Sequence, residues 1–63
     1  MYIIKNIVED KIIGEFKSDI DFIRFMRKIA IENDDEGSSA FTNVDDAKNY
    51  LNNYCSNLTL TNL

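Results

Sequence analysis

The stretch YIIKNIVEDKIIGEF, residues 2–16, decides how this chain is expected to fold. Residues 2–8 and 11–16 are rich in isoleucine, valine and aromatic residues, which favour extended backbone. Two acidic residues, Glu9 and Asp10, separate the two runs. This pattern predicts a β-hairpin. Because Glu-Asp lacks the glycine that a two-residue type I′ turn prefers, a longer connecting loop is the alternative.

Apolar side chains alternate imperfectly along both strands of this hairpin. In the second strand, strict alternation places Ile12 and Phe16 on one face and Ile13 on the other. One face of the hairpin covers a core, and the other needs a helix, a partner or a tolerance for exposed isoleucine. A chain this short has few ways to stabilise itself. We therefore expect a homodimer that uses Ile3, Ile7 or Ile13.

Two helices are expected after the hairpin. Ser18 is a good N-cap, and Asp19 and Asp21 complement the dipole of a first helix that spans Asp19–Glu32. Asn43 caps a second helix with a clean amphipathic stripe. The members of that stripe are Val44, Ala47, Leu51, Tyr54, Cys55 and Leu58.

Two short segments leave alternatives open. Residues 40–42 form either a third strand or an extended connector, and residues 59–63 fray, extend the second helix or add a short strand. The expected architecture is a single α+β domain over residues 1–63. It consists of a β-hairpin and a short third strand with two helices packed on one face, in the order β-β-α-β-α.

Composition argues against catalytic and metal chemistry. The 63 residues include one cysteine, Cys55, and no histidine, so neither an internal disulfide nor a common zinc site can form. Cys55 lies on the apolar stripe, which favours a small core residue over a nucleophile. Gly37 occupies the sixth position of a calcium-type loop that starts at Glu32, but Asn43 stands where a bidentate glutamate is required. We expect no enzyme activity, metal or cofactor.

The charge is divided unevenly along the chain. Up to Ile31, six basic residues meet five acidic ones, whereas from Glu32 onward six carboxylates meet Lys48 alone. We expect these carboxylates to form one patch that binds a basic partner surface, because the long-range attraction that steers nucleic acid also steers closely spaced carboxylates. The alternative is that they only confer solubility and complement a helix dipole. The expected patch consists of Glu32, Asp34, Asp35, Glu36, Asp45 and Asp46.

The remaining expectations concern basic residues and location. Arg24, Arg27 and Lys28 are too few for a nucleic-acid footprint on an acidic protein, so direct binding of DNA or RNA is not expected. Met1 leads directly into a hairpin with charges at Lys5 and Glu9, which predicts no signal peptide and no membrane span. A cytoplasmic location is expected.

The leading functional hypothesis is a small cytoplasmic binding module. Its size and composition resemble those of small proteins of phages and mobile elements. An inhibitor that covers the basic surface of a nucleic-acid-handling protein, of the anti-CRISPR or anti-restriction type, is the concrete example. The alternative is a homodimeric accessory or regulatory domain with no activity of its own.

Overall fold

The computed structural model describes residues 1–34 and 41–63. This described part forms a three-stranded antiparallel sheet and two helices, with the first strand in the centre of the sheet. The α+β class that the sequence predicts is confirmed. In chain order the elements are β1 (Tyr2–Asn6), β2 (Lys11–Phe16), α1 (Asp19–Glu32), α2 (Val44–Tyr54) and β3 (Leu58–Asn62).

The third strand follows the second helix instead of preceding it, so the order is β-β-α-α-β. Phe41 and Thr42 belong to no strand, and Ala40 lies outside the described residues. Phe41 instead buries its ring beside Tyr50, with 5.4 Å between ring centroids. Its carbonyl oxygen accepts a hydrogen bond from the guanidinium of Arg27. Tertiary packing of this one aromatic side chain therefore overrides the short extended propensity of residues 40–42.

The tail forms β3 because its residues alternate in polarity. Leu58 is buried and Leu60 half-buried, whereas Thr59 and Thr61 are exposed. Paired with β1, such a strand turns one row of side chains to the core and the other to solvent. Of the alternatives for residues 59–63, the added strand is the one observed.

Both helices begin where the sequence predicts. The Ser18 hydroxyl oxygen accepts the amide hydrogen of Asp21 at 3.2 Å, and the Asn43 side chain accepts that of Asp46 at 2.9 Å. The second helix is shorter than its apolar stripe, because Cys55 is its C-cap and Leu58 belongs to β3. Within the described residues, neither helix has the length and apolar character of a membrane span.

The core lies between the helices and one face of the sheet. α1 packs against α2 and β2, while α2 packs against β3. Tyr2 on β1 stacks on Phe22 of α1 at a centroid distance of 4.6 Å. The buried side chains are Tyr2, Ile4, Phe22, Met26, Ala30, Phe41, Ala47, Tyr50, Leu51, Cys55 and Leu58.

A β-bulge in β2 overturns the face assignment that strict alternation predicts. Ile4 pairs with Gly14 and the next residue, Lys5, pairs with Ile12, so Ile13 is the extra residue. Ile13 consequently packs against the core, and Ile12 is 53% exposed on the opposite face. We call that opposite face, on which no helix of the described residues packs, the open sheet face.

The hairpin connection is the longer loop, residues 7–10. The side-chain oxygen of Asn6 accepts the amide hydrogens of Val8 and Glu9, each at 3.0 Å. Asp10 adopts a left-handed backbone with φ of 54°, which aspartate tolerates better than most residues. An asparagine side chain thus stabilises this turn in place of the glycine that a tighter turn would use.

Candidate functional site

The acidic residues between positions 32 and 46 are exposed wherever the structure describes them. Glu32 ends α1 and Asp34 follows it, while Asp45 and Asp46 lie in the first turn of α2. Asp35 and Glu36, the two remaining members of the expected patch, lie outside the described residues.

The described carboxylates fall into two pairs, one at the end of α1 and one in the first turn of α2. Asn33, between Glu32 and Asp34, donates a side-chain hydrogen bond to the Tyr50 hydroxyl at 3.2 Å. This hydrogen bond connects the segment that carries the first pair to α2, the helix that carries the second pair.

These carboxylates have no basic side chain within ion-pair distance in the described part of the chain. The ion pair found there is between Lys5 and Asp10, on the hairpin, at 2.7 Å. Its hydrogen bond and the lysine charge lower the pKa of Asp10. The negative field of the acidic pairs consequently extends into solvent, where it acts over about a Debye length, ~8 Å at physiological salt.

Two of these carboxylates also have a local structural role. Asp45 and Asp46 lie at the positive end of the α2 dipole. Thr42 donates its hydroxyl hydrogen to the Asp46 carboxylate, at 3.4 Å. Asp34 adopts a left-handed backbone with φ of 59° after the last turn of α1. Substitutions here must preserve these local interactions if they are to report on binding.

The three isoleucines expected to mediate self-association differ in their surroundings. Ile3 is half-buried on the open sheet face, Ile7 is 50% exposed in the hairpin loop, and Ile13 packs against the core. The bulge in β2 is the physical reason for the position of Ile13.

The basic residues of α1 are divided between structure and solvent. Arg27 holds the Phe41 carbonyl and, with Arg24, lines a small cavity of about 200 Å³ next to Thr42. Lys28 is exposed. One of the three basic residues thus also has a structural role, because it binds the chain just before α2.

A larger groove that the sequence did not indicate lies at the end of the sheet where β1 finishes. Its volume is about 510 Å³, and its polar lining consists of three asparagines, Asn6, Asn33 and Asn57, with Tyr50 and Tyr54. These side chains come from four separate segments, so only the tertiary structure brings them together. The groove therefore combines neutral hydrogen-bonding groups with apolar lining residues.

Cys55 also lines this groove, and its surroundings disfavour the thiolate form. The side chain is buried, with 4% of the residue exposed, and burial raises the pKa of its thiol. A raised pKa keeps the thiol protonated at neutral pH, whereas a cysteine nucleophile needs the thiolate.

Comparison with known proteins finds no matching family model, no similar curated protein and no similar solved structure.

Proposed function

We propose that this protein is a small acidic binding module that covers a basic, nucleic-acid-binding surface of a larger protein. An inhibitor of the anti-CRISPR or anti-restriction type is the specific form of the proposal, and the encounter takes place in the cytoplasm. The observation that carries it is the exposure of Glu32, Asp34, Asp45 and Asp46 without a basic neighbour at ion-pair distance in the described residues.

Electrostatics supports this kind of partner. Carboxylates that no internal cation neutralises raise the local negative potential, which accelerates encounters with a positively charged surface. A groove lined by lysine and arginine for nucleic acid has that potential. The same carboxylates repel DNA and RNA themselves, so a protein partner is favoured over a nucleic acid.

The test is competition for DNA on purified restriction endonucleases and RNA-guided nucleases. The wild-type protein is expected to displace DNA from at least one of them, more strongly at low salt than at high salt. Two double variants, one with Glu32→Gln and Asp34→Asn and the other with Asp45→Asn and Asp46→Asn, should each weaken this competition about tenfold. These replacements remove two negative charges while keeping side-chain shape and the tolerance of Asn for the left-handed backbone at position 34.

A matched control separates the acidic pairs from total charge. The double variant with Glu9→Gln and Glu15→Gln also removes two negative charges, but from the exposed hairpin. It should leave competition within about twofold of wild type. Equal losses in this control and in the acidic-pair variants would mean that only net charge matters. Retained competition in the acidic-pair variants, with loss in an Arg24→Glu, Lys28→Glu variant, would place the contact on α1 and contradict the proposal.

A further inference from the structure

We propose that a second copy of this chain pairs with β3, antiparallel and about a two-fold axis, so that two three-stranded sheets become one continuous sheet. The proposal does not depend on the acidic surface. β3 lies at one edge of the sheet, with β1 on its only paired side within the described residues. An edge strand presents unpaired backbone groups that another chain can use.

The hydrogen-bond register shows which groups of β3 face outward. Met1 and Leu63 exchange two hydrogen bonds, both of 2.8 Å, and the Ile7 amide donates to the Asn57 carbonyl at 2.9 Å. In an antiparallel ladder, hydrogen-bonded and non-hydrogen-bonded pairs alternate. Between these two points, the residues of β3 whose backbone groups bond to β1 are therefore Thr61 and then residue 59.

The intervening residues of β3 direct their backbone groups away from β1. The amide and carbonyl groups of Leu60 and Asn62 point outward, as does the carbonyl of Leu58. The Leu58 amide is engaged, because it donates to the Cys55 carbonyl at 3.0 Å. The outer edge of β3 thus offers a short row of donors and acceptors.

The two edges of the sheet differ in how they discourage pairing. β2 contains a bulge and two charged residues, Lys11 and Glu15, features that protect a natural edge strand. The sequence NLTLTNL at residues 57–63 contains no charge and no proline, and β3 pairs with β1 without a shift of register. An unprotected edge beside a protected one favours a closed dimer over an open filament, because a two-fold contact uses the same strand twice.

The proposed register has its two-fold axis at Leu60, which pairs most of these outward groups. With the two-fold axis at Leu60, the two Leu60 residues exchange both backbone bonds, and each Leu58 carbonyl accepts the Asn62 amide of the second copy. On the open sheet face, Thr59 lies opposite Thr61 of the second copy, a favourable cross-strand pair. A register centred on Thr59 would leave the outward groups of Asn62 unpaired.

Sedimentation equilibrium of the wild-type chain and two charge variants tests this arrangement. Wild type at tens of micromolar should have about twice the monomer mass of 7.3 kDa. Thr59→Glu with Thr61→Glu places like charges opposite each other at the axis and should give folded monomer. Thr59→Glu with Thr61→Lys places opposite charges there and should restore the dimer. In both variants the residue at position 59 also lies beside Lys5, an attractive neighbour.

Three results would overturn the proposal: a wild-type monomer at hundreds of micromolar, a dimer that survives in the double-glutamate variant, or a folded variant with Thr59→Glu and Thr61→Lys that stays monomeric. Circular dichroism establishes folding.

If the double-glutamate variant does not fold, Asn62→Pro replaces it, since this proline removes only an outward amide. Asn62→Pro should weaken the dimer, and an unchanged dimer would contradict the proposal. Ile12→Lys, on the open sheet face, should leave the dimer intact, and dissociation there would show face-to-face contact instead.

Discussion

At the scale of single residues, Tyr2 connects the central strand to both helices. Its ring stacks on Phe22, the Lys48 ammonium lies 5.9 Å from its ring centroid, and its hydroxyl donates a hydrogen bond to the Asp19 carboxylate. One side chain of β1 thus contacts both helices. The hydrogen bond to Asp19, followed by burial and the negative charge of that carboxylate, raises the pKa of Tyr2 above its ordinary value of 10.0.

Alkaline titration should reveal this shift. A tyrosine whose pKa is raised in the folded protein contributes stability that is fully present below the unfolded value and lost as pH rises through the folded value. Ultraviolet titration of tyrosine ionisation should include a late component from Tyr2, whose amplitude is lost in Tyr2→Phe and which moves to lower pH in Asp19→Asn. Tyr54→Phe, at an exposed position, is the control and should retain the late component. A wild-type curve without a late component would contradict the assignment.

At the scale of elements, the bulge in β2 determines which isoleucine the core receives. Simple alternation gives Ile12 and Phe16 the same face, but the extra residue moves Ile13 to the core side and Ile12 to the open sheet face. Packing is also tight at Gly14, next to the bulge, because a Cβ there would lie 2.7 Å from the ring of Phe16. β2 is therefore shaped by its packing against the helices as well as by its pairing.

Replacing each neighbouring isoleucine by lysine tests the bulge directly. Ile12→Lys changes an exposed side chain and should lower the free energy of unfolding by no more than about 1 kcal/mol, because the new charge lies opposite Lys5. Ile13→Lys brings a charge against the core and should cost at least about 2 kcal/mol. Urea denaturation of the two variants provides the comparison. If Ile12→Lys is the more damaging change, strand β2 has the regular register instead.

At the scale of the whole molecule, a small core has to support the entire fold. At about 0.05–0.15 kcal/mol per residue, a chain of this length is stable by only about 3–9 kcal/mol. Leu51 and Met26 are among the largest fully buried side chains. The loss of one such side chain is therefore comparable with the total stability.

Leu51→Ala is expected to lower the free energy of unfolding by about 2–5 kcal/mol, since it removes buried methyl groups and leaves a cavity. Thermal and urea denaturation followed by circular dichroism measure the loss. Leu63→Ala, at a side chain that is 79% exposed, is the matched control and should have little effect. A Leu51→Ala protein as stable as this control would show that α2 contributes little to the core.

The sequence by itself determined the features that depend on neighbouring residues. The hairpin, the α+β class and both helix N-termini could be predicted because strand propensity and N-capping act over a few residues. Ser18 and Asn43 cap the helices as expected. The excess of carboxylates after Glu32 is likewise a property of the sequence.

Only the tertiary structure decided the features that depend on residues far apart in the chain. Pairing with β1 made residues 58–62 a strand, and packing between Tyr50 and Arg27 kept Phe41 out of one. The same long-range packing set the bulge at Ile13 and assembled the asparagine-lined groove. The physical reason is that strand register and burial are free energies of contact between distant segments, which no local pattern of side chains specifies.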